Sequence, residues 1–265
     1  MRLAHLSDLH FGADEPAVVA ALVADLAGQR PDLVVVSGDL TMRARRAEFV
    51  AARQLLDGLA VPWLSVPGNH DLPLDRPGRL LRPLAGYRRH LDPDPEPVRE
   101  QDGVLVLGIS SARRYRWKGG RIDRGQAARI GAVFGAAAGV RLKVLVLHHP
   151  VFTSVQRPDE KPVRGSHRAL RAAGLAGADV VLCGHDHVQA HVDLSLSRPY
   201  LERHVLGVMS GTTTSHRVRA NESQSYNVLE LTADDRLTLT VRQWRAGSFA
   251  PLLSQSWRRT PDGFQ

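Results

Sequence analysis

Short apolar runs alternate with amphipathic stretches along the first half of the chain. Residues 3–6 read as a strand, and 15–29, rich in Ala, Val and Leu, read as a helix with Pro16 in its first turn, where the missing N–H costs nothing. The run at 33–37 is almost continuously apolar, the mark of a strand covered on both faces. A helix over 44–59 carries Phe49, Arg53 and Leu56 down one side, and a strand follows at 63–66. Next come a short Arg-rich helix over 80–90, a Pro/Asp loop at 92–97, a strand at 104–109, a helix at 124–138 and a strand at 143–147. A polar loop at 153–166, a helix at 167–173 and a strand at 179–183 complete this part. Beyond residue 190 the period changes to two, and 190–196, 205–209, 226–231 and 237–245 read as antiparallel strands. The polar tail from 258 reads as loose. Strand–helix units followed by a meander predict an α/β chain with two sheets and outer helices. No linker interrupts residues 1–265, so one domain is expected: a motif-bearing part to 190, antiparallel strands over 190–257, and the tail over 258–265.

Composition narrows the function classes. With 43% hydrophobic residues the chain can bury a sizeable core. The net charge of +8 rests mostly on arginines scattered through the sequence, with lysine only at 118, 143 and 161. That dispersal disfavours a polynucleotide groove and suits attraction of a small phosphate-bearing anion. The single cysteine, Cys183, ends an apolar run, excludes an internal disulfide and fits a reducing compartment, so a cytoplasmic location is expected. No apolar stretch is long enough to predict a membrane span.

The chemistry sits where the apolar runs end. Five short blocks follow five predicted strands: D-L-H at Asp8 and His10, G-D-L at Asp39, G-N-H-D at Asn69, His70 and Asp71, H-H-P at His148 and His149, and G-H-D-H at His185 and His187. In strand–helix folds polar ligands gather at the carboxyl ends of strands, so distant parts of the chain can meet on one rim. Carboxylates, imidazoles and one amide oxygen form a donor set that suits Mn, Fe or Zn better than Ca or Mg, and the lack of thiolates argues against a structural zinc. Two cations roughly 3.5–4 Å apart activate water and clamp both oxygens of an in-line displacement at phosphorus.

The series D-x-H, G-D, G-N-H-D, H and G-H-x-H resembles the calcineurin-like metallophosphoesterases over residues 1–190, and the size and segments resemble the bacterial cyclic-nucleotide phosphodiesterase branch. The resemblance implies a four-layer αββα sandwich with two metal ions at one rim. Carried over by motif, Asp8, His10 and His187 bind the first metal, Asn69, His148 and His185 the second, and Asp39 bridges them. His70 then sits just outside the metals and protonates the leaving oxygen or stabilises the pentacoordinate phosphorus, and Asp71 fixes the His70 tautomer. The implied reaction is in-line attack of a metal-bridging hydroxide on a small phosphodiester such as a 3′,5′-cyclic nucleotide. Phosphomonoesterases, nucleotide-lipid pyrophosphatases and nucleases of the superfamily are the alternatives, with a non-catalytic scaffold as a further class. The 72–90 segment, rich in Pro and Arg, is no general part of the pattern, so substrate identity does not transfer with the motifs. His149, His216 after Gly211, and Arg113 in the basic-aromatic stretch 113–118 are the candidate substrate contacts. The partner is a small phosphoester, with neither membrane nor nucleic acid expected; monomer and homodimer stay open.

Overall fold

A computed structural model of the protein describes residues 1–219 and 222–265. The chain runs through β1 (Arg2–Leu6), α1 (Pro16–Gln29), β2 (Leu33–Val36), α2 (Arg46–Gly58), β3 (Trp63–Ser65), α3 (Arg76–Leu81), α4 (Ala85–His90), β4 (Val98–Gln101) and β5 (Val104–Gly108). It continues through α5 (Arg124–Ala136), β6 (Leu142–Val146), α6 (Ser166–Leu175), β7 (Val180–Cys183), β8 (Ala190–Asp193), β9 (Leu206–Met209), β10 (Ser225–Leu231), β11 (Arg236–Arg245), β12 (Ser248–Thr260) and β13 (Gly263–Phe264). Two sheets result, one in the order β13-β12-β11-β10-β1-β2-β3 and the other in the order β4-β5-β6-β7-β9-β8.

Side-chain alternation stacks these sheets between helices. Leu33 and Val35 of β2 face the inter-sheet core with Val104, Val106, Val144 and Leu182. Val34 and Val36 of the same strand face outward, against Val18 and Leu22 of α1 and Phe49 and Leu56 of α2. On the far side, Leu105, Leu145 and Val181 pack on Ile130 and Phe134 of α5 and Leu170 of α6. The order helix, sheet, sheet, helix is the αββα sandwich. Strands β1, β2 and β3 are parallel, as are β5, β6, β7 and β9, so the loops after them gather on one rim.

Four local expectations change. The helix expected over 80–90 divides into α3 and α4, because Pro83 stands between them without an N–H to donate. The strand at 205–209 is not part of an antiparallel meander: β9 runs parallel to β7 and antiparallel to β8. A long strand, β12, follows β11 where none was expected; most of its residues are exposed, and Pro251 lies at a register shift where the ladder needs no N–H. The tail is not loose. Arg259 pairs with Phe264, and Phe264 enters the inter-sheet core with the Arg259 guanidinium 4.3 Å from its ring centroid.

Phe264→Ala removes that buried ring, and large-to-small changes of this kind cost about 3 kcal/mol. Denaturant unfolding of the variant is expected to show that loss; an unchanged midpoint would mean the tail adds nothing to the core.

Candidate metal centre

Each chemical block begins where a strand stops. Asp8 and His10 follow β1, Asp39 follows β2, Asn69 to Asp71 follow β3, His148 follows β6, and His185 and His187 follow β7. Backbone bonds lock neighbouring blocks together: Asp8 N–H donates to Gly38 O at 3.0 Å, His10 N–H to Asp39 O at 2.9 Å, and Gly184 N–H to His148 O at 3.0 Å. Five of the seven candidate ligands adopt the left-handed region, with φ of 52° at Asp8, 48° at His10, 52° at Asp39, 74° at His185 and 57° at His187. Each such residue costs roughly 1–2 kcal/mol against ordinary backbone, so the fold holds these turns by its surrounding contacts. Two glycines are required by close approach. A Cβ on Gly68 would stand 2.1 Å from Asp39 Oδ1, and one on Gly184 would stand 1.8 Å from Ser7 Oγ.

The side chains meet in two adjoining groups. In the first, His187 Nε2 lies 3.1 Å from Asp8 Oδ1 and 3.1 Å from His10 Nε2. In the second, His148 Nε2 lies 3.2 Å from His185 Nδ1. Asp39 Oδ2 stands between them, 3.7 Å from His10 Nε2 and 3.3 Å from His148 Nε2.

Three observations say that this pocket suits cations. His148 Nδ1–H donates to Ser37 O at 2.8 Å and His187 Nδ1–H to Arg217 O at 2.6 Å, which aims both Nε2 atoms inward, where a cation would take their lone pairs. Asp8 Oδ1 and Asn69 Oδ1 are buried without a hydrogen-bond partner, which is costly unless something positive faces them. The remaining Asp8 oxygen, Oδ2, is already bonded by Ser7 Oγ–H at 2.6 Å and His185 N–H at 2.8 Å, so its orientation is fixed. Nitrogen and oxygen donors without sulfur match the borderline divalent and trivalent ions.

Without cations, burial depresses His148, but the Asp39 charge and hydrogen bond outweigh it and raise the pKa to about 10. His185 is pushed the other way, to about 3, by burial and then by the charge on His148. Burial opposes ionisation of Asp8 and Asp39 too, yet the surrounding imidazoles hold both carboxyls below the usual range.

The other expected site residues divide. His70 is half-buried at the cleft, its Nδ1–H donating to Met42 O at 2.8 Å and its Nε2 turned toward the Arg217 guanidinium at 3.3 Å. Asp71 does not set that tautomer. Both its oxygens are taken by Gly68 N–H, Leu40 N–H, Thr41 N–H and the Thr41 hydroxyl, so it braces two loops while Met42 orients the imidazole. His149 is buried with both ring nitrogens occupied, by Ser111 Oγ and Lys118 O at 2.8 Å each, and has none left for substrate. Arg113 is tied to Ser110 O, Asp123 and Gln126, away from the cleft. His216 is exposed and lies off the cleft wall, where its neighbour Arg217 stands instead. Arg217 went unnoticed in the sequence. The signal beside it is the run Thr212-Thr213-Thr214, three buried hydroxyls that bond Asp8 O, Ser7 N–H and Leu9 O and hold the first block in place.

Comparisons with known proteins give the family. A family model described as calcineurin-like phosphoesterase matches residues 1–189, and the chain belongs to that family of metallophosphoesterases. It is 33% identical over 204 residues to the glycerophosphodiester phosphodiesterase GpdQ of Enterobacter lignolyticus, covering 71% of each chain. It is 27% identical over 198 residues to a probable cyclic nucleotide phosphodiesterase of Synechococcus, covering 71% of this chain and 73% of that one. Among solved structures, a dimetal phosphatase from Danio rerio superposes with a TM-score of 0.64 at 14% identity, covering 97% of this chain and 98% of the other. No helix among the described residues is long and apolar enough to cross a membrane.

Because His148 is protonated at neutral pH until a cation displaces its proton, metal affinity is expected to rise about tenfold per pH unit through the neutral range and to fall on acidification. Calorimetric titration with Mn²⁺ in buffers of different ionisation enthalpy measures the proton released; affinity independent of pH would remove His148 from the ligand set.

Proposed function

We propose that the chain is a dinuclear metal-dependent hydrolase of small phosphodiesters. In this reading Asp8, His10 and His187 hold one cation, Asn69, His148 and His185 hold the other, and Asp39 reaches both. Manganese, iron and zinc are the ions that fit the donors. The observation that carries the proposal is the placement of Asp39 Oδ2 between two sets of inward-facing imidazole nitrogens. Cations bound there would supply an activated water and neutralise charge building on the phosphoryl oxygens.

The chain's own groups do the rest. His70 keeps Nδ1–H on Met42 O, and its Nε2 accepts from the Arg217 guanidinium; once Arg217 turns to a phosphoryl oxygen of bound substrate, Nε2 is free to carry the proton that it gives. As the bond from phosphorus to the leaving oxygen breaks, that proton passes to the departing alkoxide and the alcohol is released. The His70 backbone N–H donates to Asp39 Oδ1 at 2.8 Å, so the acid and the shared carboxylate are held in one register. Arg217 brings a permanent positive charge beside His70 Nε2, where a phosphoryl oxygen would lie. The relatives name two substrate types, a glycerophosphodiester and a cyclic nucleotide, and both fall within the class. The buried Cys183 fits a reducing compartment, and we assign the protein to the cytoplasm.

Manganese-loaded protein is expected to hydrolyse bis(p-nitrophenyl) phosphate and to lose that activity on chelation. Asn69→Ala is expected to lower both metal content and turnover. His70→Ala should cost about 10²–10³-fold in kcat with an alkyl leaving group, and much less with p-nitrophenolate, which departs without a proton. Full activity in cation-free protein would refute the mechanism, and equal losses for both leaving groups would refute the role of His70.

A further inference from the structure

The cleft extends beyond the groups used so far. Arg116, Lys118, Lys161 and Arg164 line the same cavity of about 620 Å³ as Asn69, His70 and His185. Its wall also carries Asp159, Glu160 and Asp186, but among the described residues the one cleft cation with a carboxylate partner is Arg157, paired with Glu160. Arg116, Lys118, Lys161 and Arg164 thus have no carboxylate within ion-pair distance among the described residues, and on this wall positive groups outnumber negative ones. The lining holds no Phe, Tyr or Trp among the described residues, so it offers no aromatic platform for a nucleobase. Tyr115 and Trp117 are exposed and stack on Arg114 and Arg79 instead.

This wall is held in place by groups that the hydrolysis does not employ. His149, beside His148, gives its Nε2–H to Lys118 O. Arg79 is 2% exposed, an unusual burial for a charged residue, and its guanidinium bonds Arg116 O at 2.8 Å as well as Leu72 O and Pro73 O. The 116–120 loop is thus fastened from both sides, and a Cβ on Gly120 would stand 2.5 Å from His149 Nδ1. The facing segment is fastened too: Val163 N–H donates to Pro150 O at 2.7 Å, and Ile122 N–H to Arg164 O at 2.8 Å. Fastened backbones presenting cations with no internal partner are what recognition of an external anion requires.

We propose that the preferred substrate is a phosphodiester with a second phosphate group on one ester arm, and that Arg116, Lys118, Lys161 and Arg164 form the subsite for that second phosphate. This rests on the phosphodiesterase reading and refines it: the metal centre and Arg217 take the scissile phosphate, and the far wall selects the arm. Arg79 and His149 are positioning residues for the subsite.

The test compares thymidine 5′-(4-nitrophenyl phosphate) with the same ester bearing a 3′-phosphate, on the full manganese-loaded chain at low salt. Release of nitrophenolate should show kcat/KM at least about tenfold higher for the 3′-phosphorylated ester, mainly through KM, and added salt should shrink the gap. In Lys118→Met/Arg164→Met the loss should be larger for the 3′-phosphorylated ester than for its partner. Calorimetry should give tighter binding of thymidine 3′,5′-bisphosphate than of thymidine 5′-monophosphate, with the preference reduced in the double variant. Equal kcat/KM for the two esters, with bis(p-nitrophenyl) phosphate turned over, would overturn the second subsite and leave the phosphodiesterase intact. Absence of turnover on every diester would refute the functional reading itself; the calorimetric comparison then decides the subsite, and equal affinities overturn it.

Discussion

Concentrating charge in a dry place is the constraint on which this molecule turns. Asp8, His10, Asp39, His148 and His187 are almost completely buried, and their polar atoms approach one another to between 3.1 and 3.7 Å. Isolated buried charges of this kind are strongly unfavourable. Opposite signs offset part of the cost, which is why the Asp39 charge raises His148 while imidazoles hold Asp39 down. The crowded imidazole nitrogens and the unpartnered Asp8 Oδ1 and Asn69 Oδ1 remain, and cations are the species that would satisfy both at once.

A rigid frame is needed to keep such groups together. Left-handed turns at five candidate ligand positions resist relaxation because parallel strands deliver them side by side and backbone bonds tie the turns to neighbouring blocks. The loop after β9 contributes without supplying a ligand side chain: its three threonine hydroxyls satisfy the backbone of Ser7, Asp8 and Leu9. Strain at the site is therefore carried by hydrogen bonding in the layer immediately behind it.

The legible part of the sequence was the part that repeats a simple physical rule. Runs such as 33–36 are apolar throughout because both faces are covered, and the polar block after each is legible because few other residues follow a buried strand. β12 obeys no such rule: it lies near a sheet edge with most side chains in water, and its sequence shows no buried face. The tail misled for a related reason, since one aromatic, Phe264, anchors an otherwise polar segment. Roles were harder to read than positions. Asp71 follows His70 in the chain, but adjacency in sequence sent its carboxylate to the Thr41 loop, and a main-chain oxygen, which sequence cannot single out, took the task expected of it.

Arginine shows most clearly why site chemistry and substrate choice separate. Arg79, Arg113 and Arg217 are chemically identical, and each lies near a motif or a loop of interest. Arg113 is consumed by Asp123, Gln126 and carbonyls of its own loop. Arg79 is consumed by three carbonyls and so builds the cleft instead of lining it. Arg217 keeps its guanidinium at the cleft beside His70 because its backbone carbonyl is what His187 requires. The difference lies in which acceptors each fork meets after folding, and most of those belong to loops outside the strand-end blocks. The blocks fix the reaction class because metal donors admit few substitutes. In the proposed reading, the cations around them select the arm that the substrate carries.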